Sequence, residues 1–406
     1  MQLTQTTPAR CPYSHDAATR PDPCADYLPW RTDAPVRKDE LLGVWVVTGF
    51  PEVSRLLMSP MLSSAWPAEG MTELHLGGPE REGRSRTSDI VRRWFMFRDG
   101  AGHATLRKLM APLFVPERVS GMRPRVEAMV AELLSAHRAD SVLDVMANLA
   151  VPLSSRVICH VLGLPEAVAP RLHGWAQDIA ALLIADYQPE VVVRGDRALQ
   201  EIQDVIEQVL DLGDVPETSG LGILRHAVRD GLIDQADIPA TASLLVYAGY
   251  ETTSTFIGKA VRALFHSGTW HALTSRAPSS MVEELLRFDT SVQQVARIAT
   301  APVTVARHRI ETGDLVLLML GAANRDPSVF AEPDTVSGDR SIRRHLAFGQ
   351  GPHYCLGAGL ARLEAEVVLT TLTARFTTVH LAEPPAIRSH HGVTVLESLK
   401  IRVESC

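Results

Sequence analysis

The chain has 406 residues, 46% of them hydrophobic, and a formal net charge of −7, so a large core can be buried. The acidic balance and the lack of an extended basic run argue against a nucleic-acid or anionic-membrane partner. Five cysteines, at 11, 24, 159, 355 and 406, are odd in number and scattered, which fits a reducing cytoplasm better than a disulfide framework. Residues 1–40 carry prolines at 8, 12, 21, 23, 29 and 35 and read as an extended lead-in without a membrane anchor. Val44 to Gly49 then reads as a buried strand, and Pro51 suits the first turn of the helix after it. Residues 61–93 are rich in Gly, Pro and charge, which predicts a long irregular loop. Next, Asp99, His103 and Arg107 recur every fourth residue and share one helical face, most simply a solvated one.

Residues 116–235 read as amphipathic helices with apolar positions every three or four residues, and His160 and His173 there are read as structural. The pattern breaks at Tyr187-Gln188-Pro189, a candidate lid. Ile238 to His266 is the longest helical pattern and is apolar nearly all round. Ala248-Gly249-Tyr250-Glu251-Thr252-Thr253 is out of place inside it, because glycine, a carboxylate and β-branched hydroxyls are poor choices for a buried helix. Such local conflict marks a working site, or hydroxyls bonding back to the previous turn. Ser280 and Glu283 form a capping-box pattern, and Glu284 and Arg287 lie on one face of the same helix. Alternation after Arg287 predicts strands.

In His345 to Leu369, Cys355 sits between glycine-containing turns at the start of an amphipathic helix. Unpaired N–H groups and the helix dipole there favour a thiolate. Gly349, Gly351 and Gly357 would let a flat cofactor approach the sulfur.

The spacing Phe348-x-x-Gly351-x-His353-x-Cys355-x-Gly357 resembles the cytochrome P-450 family of haem-thiolate monooxygenases. The sets Asp99/His103/Arg107, Ala248 to Thr252 and Glu284-x-x-Arg287 resemble its other motifs, in the family's order. The resemblance implies a mainly α fold with a small β region (α+β), the triangular-prism haem-thiolate monooxygenase fold, with residues 41–406 as one domain. It implies haem (heme b, iron protoporphyrin IX) with Cys355 as the axial iron ligand, whose electron donation favours O–O cleavage. Phe348, Gly349, Gly357 and Ala248 would lie against the cofactor, and His103, Arg107, Arg297 and His353 would face its propionates. Glu251 would relay protons and Thr252 would hold the water or hydroperoxide. Leu244, Tyr247, Gln293 and Val295, with the 61–96 loop and the 175–195 lid, would line the substrate pocket. Glu284 and Arg287 would form a structural pair behind the cysteine loop, with Arg340 completing it.

The chain departs from the family at Gly100 and Ala101 and at Ser291, where prolines are common. It departs again at Tyr250, and at Thr335-Val336, where members often have Arg-Phe. The implied function is activation of O2 to oxidise a small organic molecule, in natural-product tailoring, by a cytoplasmic monomer. Electrons would come from NAD(P)H through a ferredoxin reductase and a ferredoxin, docking on the basic cluster Arg340, Arg343 and Arg344. Alternatives are the same haem chemistry used for aryl coupling, nitration or C–N bond formation, a non-catalytic haem-binding sensor, or a helical scaffold without a cofactor.

Overall fold

The computed structural model describes residues 31, 34–40, 43–65, 86–138, 141–183, 189–270, 278–340, 344–390 and 393–405. Most of the lead-in, the heart of the 61–93 loop, Tyr187 and Gln188 of the lid, Arg343, Cys11, Cys24 and Cys406 lie outside the described residues. Helices dominate, with small sheets beside them.

Val44–Val47 is buried at every position. Trp45 and Val47 enter one apolar cluster with Val53, Leu56 and Val316, while Val44 and Val46 enter another with Leu317 and Met319. Burial on both faces explains why this strand reads as a continuous apolar run. It pairs antiparallel with Val36–Asp39 and parallel with Leu315–Leu318, followed by Val295–Ala299 and Leu62–Ser63, in one five-stranded sheet. The helix Phe50–Leu57 carries its proline in the first turn and buries Val53, Leu56 and Leu57.

The central helix, Asp237–His266, is 30 residues long and runs through the main core. It packs on Val151–Leu162, Ala169–Leu183 and the proximal helix Ala358–Arg375. Its polar interior run leaves the helix unbroken. The Thr252 hydroxyl donates to the Ala248 carbonyl at 2.8 Å and the Ser254 hydroxyl to that of Glu251 at 3.2 Å, so both are satisfied within the helix. Gly249 has a packing reason: a Cβ there would come within 2.9 Å of Ile158 Cδ1. Tyr250 is buried, and its hydroxyl pairs with His173 Nδ1 on the helix Ala169–Leu183. Among the described residues no helix is long and apolar enough to cross a membrane.

The proximal helix carries a buried acid. Burial pushes the Glu364 carboxyl up to about 8 from 4.5, against the opposing hydrogen bond from Ser154 Oγ at 3.0 Å. The folded chain therefore holds this proton more tightly than the unfolded chain. The stability this contributes is fully present below about pH 4.5 and is lost as the pH rises toward about 8. At about 1.4 kcal/mol per unit the loss reaches at most roughly 5 kcal/mol. In thermal melts across this window, Glu364→Gln should flatten the decline in stability and be the more stable form at its alkaline end; parallel curves for the two proteins would contradict the assignment.

Candidate active site

Cys355 lies on the loop before the proximal helix, with its N–H donating to Phe348 O at 2.9 Å. The loop closes through Gly349 N–H to Leu346 O at 2.9 Å and Tyr354 N–H to Gly351 O at 3.0 Å. At Gly351 φ is +78°, and a Cβ would come within 2.9 Å of Leu57 O, so only glycine fits there. The Cys355 side chain is accessible to a water-sized sphere, yet desolvation pushes its thiol pKa up. The Gly357 N–H, Arg107 and Arg362 pull the pKa back down, as a helix start should, but burial outweighs them. The helix start alone therefore does not give the thiolate; coordination to a metal ion would. Cys159, the other described cysteine, is buried with its thiol pushed up to about 12.

The four residues expected at a carboxylate-bearing rim gather beside this loop. His103 Nδ1 lies 2.8 Å from Phe95 O and Nε2 3.1 Å from Pro352 O, and its ring centroid is 4.0 Å from that of His353. Arg107 donates to Tyr354 O at 2.6 Å, and Arg297 to Ala296 O at 2.7 Å. Desolvation lowers the pKa of both guanidinium groups, opposed by Cys355 for Arg107 and by Asp99 for Arg297. Among the described residues, no carboxylate lies within salt-bridge distance of either. Two desolvated cations with no carboxylate in direct contact among the described residues, next to an exposed cysteine, fit a group that brings two carboxylates and a metal for sulfur.

Asp99, the first residue of that helical triplet, organises this rim. It accepts from Ser63 Oγ, from Ser64 Oγ at 2.9 Å and from Ala65 N–H at 3.3 Å, and lies 3.2 Å from His353 Nε2. Burial alone would raise its carboxyl pKa, but these donors win and hold it at about 2. Gly100, where the family often has proline, has φ +58°, which proline cannot adopt.

On the central helix Ala248 is exposed and Thr252 half-exposed, an opening in an otherwise buried stretch. Glu251 is buried, and its charge adds to desolvation in raising the pKa of Tyr247. Tyr247 is half-buried and stacks on Trp94 at 5.4 Å. Two expected pocket residues are buried. Leu244 is 2% exposed and belongs to the main core, because the helix is buried all round at that level. Gln293 is likewise 2% exposed, donating from Nε2 to Thr290 O at 2.6 Å. The alternation counted back from Arg297 fails because the strand begins only at Val295. Val295 itself is half-buried.

Behind the loop, Arg287 donates to both Glu284 oxygens at 2.8 Å, to Asn324 O at 3.1 Å, to Pro333 O at 2.8 Å and to Thr335 O at 3.0 Å. Arg340 Nε joins at 3.1 Å from Glu284 Oε1 and also donates to Ala331 O and Glu332 O, so its guanidinium is committed here rather than to a docking surface. Asn324 passes the support on by accepting Leu346 N–H at 2.6 Å, at the start of the cysteine loop.

A second brace carries no local sequence signal. Arg362 donates to Glu283 at 2.5 and 3.0 Å and stacks 4.5 Å over Phe348, while His345 Nε2 lies 3.1 Å from Glu283 Oε2. Glu283, read as a capping residue, is thus engaged with the cysteine loop and the proximal helix. Its carboxyl pKa, which burial would raise, is held at about 2 by these partners.

An exposed loop cysteine, two desolvated arginines beside it and the exposed Ala248 and half-exposed Thr252 on the central helix fit a haem-thiolate type of site. The comparisons agree. Residues 279–404 match the family model "Cytochrome P450". Cytochrome P450 105A3 of Streptomyces carbophilus is 36% identical over 347 residues, 84% of this chain and 81% of its own. The 6-deoxyerythronolide B hydroxylase of Saccharopolyspora erythraea is 34% identical over 375 residues, 87% of this chain and 89% of its own. The crystal structure of CalO2 superposes with a TM-score of 0.89 at 28% identity, over 98% of this chain and 100% of that one. The chain belongs to the cytochrome P450 family, and is an oxidoreductase that uses haem iron and O2 to oxidise a small molecule.

Proposed function

We propose that residues 41–406 act as one domain that would hold haem b, with Cys355 supplying the thiolate that would bind its iron. His103, Arg107, Arg297 and His353 would take its propionates, and Ala248, Phe348, Gly349 and Gly357 would lie against its ring. The observation that carries this reading is the pair of desolvated arginines, with no carboxylate in direct contact among the described residues, beside an exposed cysteine. Thiolate-ligated haem supplies O2 activation when bound. The protein supplies proton control. Thr252 donates its hydroxyl proton to Ala248 O at 2.8 Å, which leaves its oxygen lone pairs free to accept a hydrogen bond from a donor in the site. Glu251, one residue before it, is the proton carrier, reaching solvent by rotation from its buried position.

The substrate class is a secondary metabolite, by analogy with the 6-deoxyerythronolide B hydroxylase. Electrons come from NAD(P)H through a ferredoxin reductase and a ferredoxin in the cytoplasm. Thr252→Ala tests the proton assignment. Haem content should be unchanged, while the peroxide released per NADPH consumed rises and product falls roughly ten- to a hundredfold, the worth of a hydrogen bond to a charged group at about 1.5–3 kcal/mol. Equal peroxide yields from both proteins would remove Thr252 from the mechanism.

A further inference from the structure

The segment leaving the helix Pro278–Phe288 is fastened to the central helix at two levels. At the lower level Lys259, 1% exposed, places Nζ 2.9 Å from Asp289 Oδ1 and 3.0 Å from Thr290 O. Arg262 closes the other side of the same carboxylate, Nη2 to Oδ2 at 2.7 Å. A buried ammonium shared between a carboxylate and a carbonyl tolerates little displacement, since breaking such a pair leaves an uncompensated charge. At the upper level the buried Ser291 hydroxyl donates to the backbone carbonyl of Thr252 at 2.7 Å. Residues 252 and 259 are two helical turns apart on one stripe, so the ion pair sets the height at which Ser291 meets the helix.

The upper contact has a consequence for Thr252. A donor from outside the helix, placed on an intrahelical carbonyl, tilts that carbonyl away from the axis and fixes the local bend. The side chain of the same residue is tied in the opposite direction along the chain, to Ala248 O. Backbone and hydroxyl of Thr252 are thus both held, one by Ser291 and the other by its own helix. The proline common at this position in the family has neither a hydroxyl nor an N–H and could not make the bond.

We propose that Ser291 is a positioning residue that acts through Thr252, setting the orientation of its hydroxyl. This rests on the reading that Thr252 lies over the haem iron. The loss of one buried hydroxyl is mild enough for the fold to survive, so Ser291→Ala can be examined as holoenzyme. Carbon monoxide on the reduced iron is the probe, read as the infrared C–O stretch, which reports the polar groups above the metal and needs no substrate.

Thr252→Ala should shift the stretch, and Ser291→Ala should shift it in the same direction by a comparable amount. Ser291→Thr should restore the original frequency, and Ser291→Ala should add nothing on the Thr252→Ala background, as expected for two residues acting through one group. A merely structural serine would lower the melting temperature and leave the stretch in place. An unmoved stretch in Ser291→Ala, or a shift that persists on the Thr252→Ala background, overturns the proposal. If Thr252→Ala itself leaves the stretch unchanged, the reading of Thr252 fails and the proposal falls with it.

Discussion

With alanine at position 355, turnover is expected to fall to background. Residues that merely support a metal ligand are worth about 10–100-fold in affinity or activity, so loss of the ligand itself should exceed that range. The fold should survive, because Cys355 is exposed and is not part of the packed core, so the change leaves no cavity there. His103, Arg107, Arg297 and His353 remain in place in this variant, and the rim should still recruit haem, though with weaker retention. Haem content by pyridine haemochrome, with activity measured on the same sample, separates the two effects. A variant that turns over at a comparable rate per haem would show that the sulfur is not the ligand.

Replacing Arg287 by alanine should be the most destabilising single change in the supporting shell. It takes the bidentate partner from the fully buried Glu284 carboxylate, leaving it only Arg340 Nε and the Ser337 N–H on Oε1, and removes the donor to Asn324 O, Pro333 O and Thr335 O. Breaking one partner of a buried pair costs about 3–5 kcal/mol, whereas replacing both by apolar residues is often far less costly. Arg287→Ala should therefore lower the denaturation midpoint sharply, and a double replacement of Glu284 and Arg287 by leucine should recover much of that loss. Both proteins should retain haem poorly, because Asn324 links this network to Leu346 at the start of the cysteine loop. Chemical denaturation and haem content provide the two readings; a double variant no more stable than the single one would show that the stranded charge is not the cause.

How much the sequence reveals depends on how far apart the interacting residues lie along it. The cysteine loop, the Asp99/His103/Arg107 triplet and the Glu284/Arg287 pair are compact patterns whose spacing puts side chains on one face or one turn, and all are legible in the sequence alone. The brace of Glu283 with Arg362 and His345 joins residues 79 and 62 positions apart, and no local pattern links them. The hydrogen bond from Ser291 to Thr252 spans 39 positions, and no local pattern in the sequence links the two. Gln293 is misplaced when alternation is extended past the true start of its strand. That Leu244 is buried is not legible either, because helical spacing gives the face of a residue but does not say whether that face is open or covered. The raised thiol pKa of Cys355 has the same origin: the helix start is legible locally, and the burial that outweighs it comes from the whole fold.

The central claim, that Cys355 delivers a thiolate to haem iron, is tested most directly by the absorption spectrum of the reduced holoprotein under carbon monoxide. The account predicts a Soret band displaced to the long-wavelength position characteristic of a thiolate ligand, absent when Cys355 is replaced by alanine. A band at the position given by an imidazole-ligated haem in freshly prepared unmodified protein, or a thiolate-type band that survives Cys355→Ala, would contradict it.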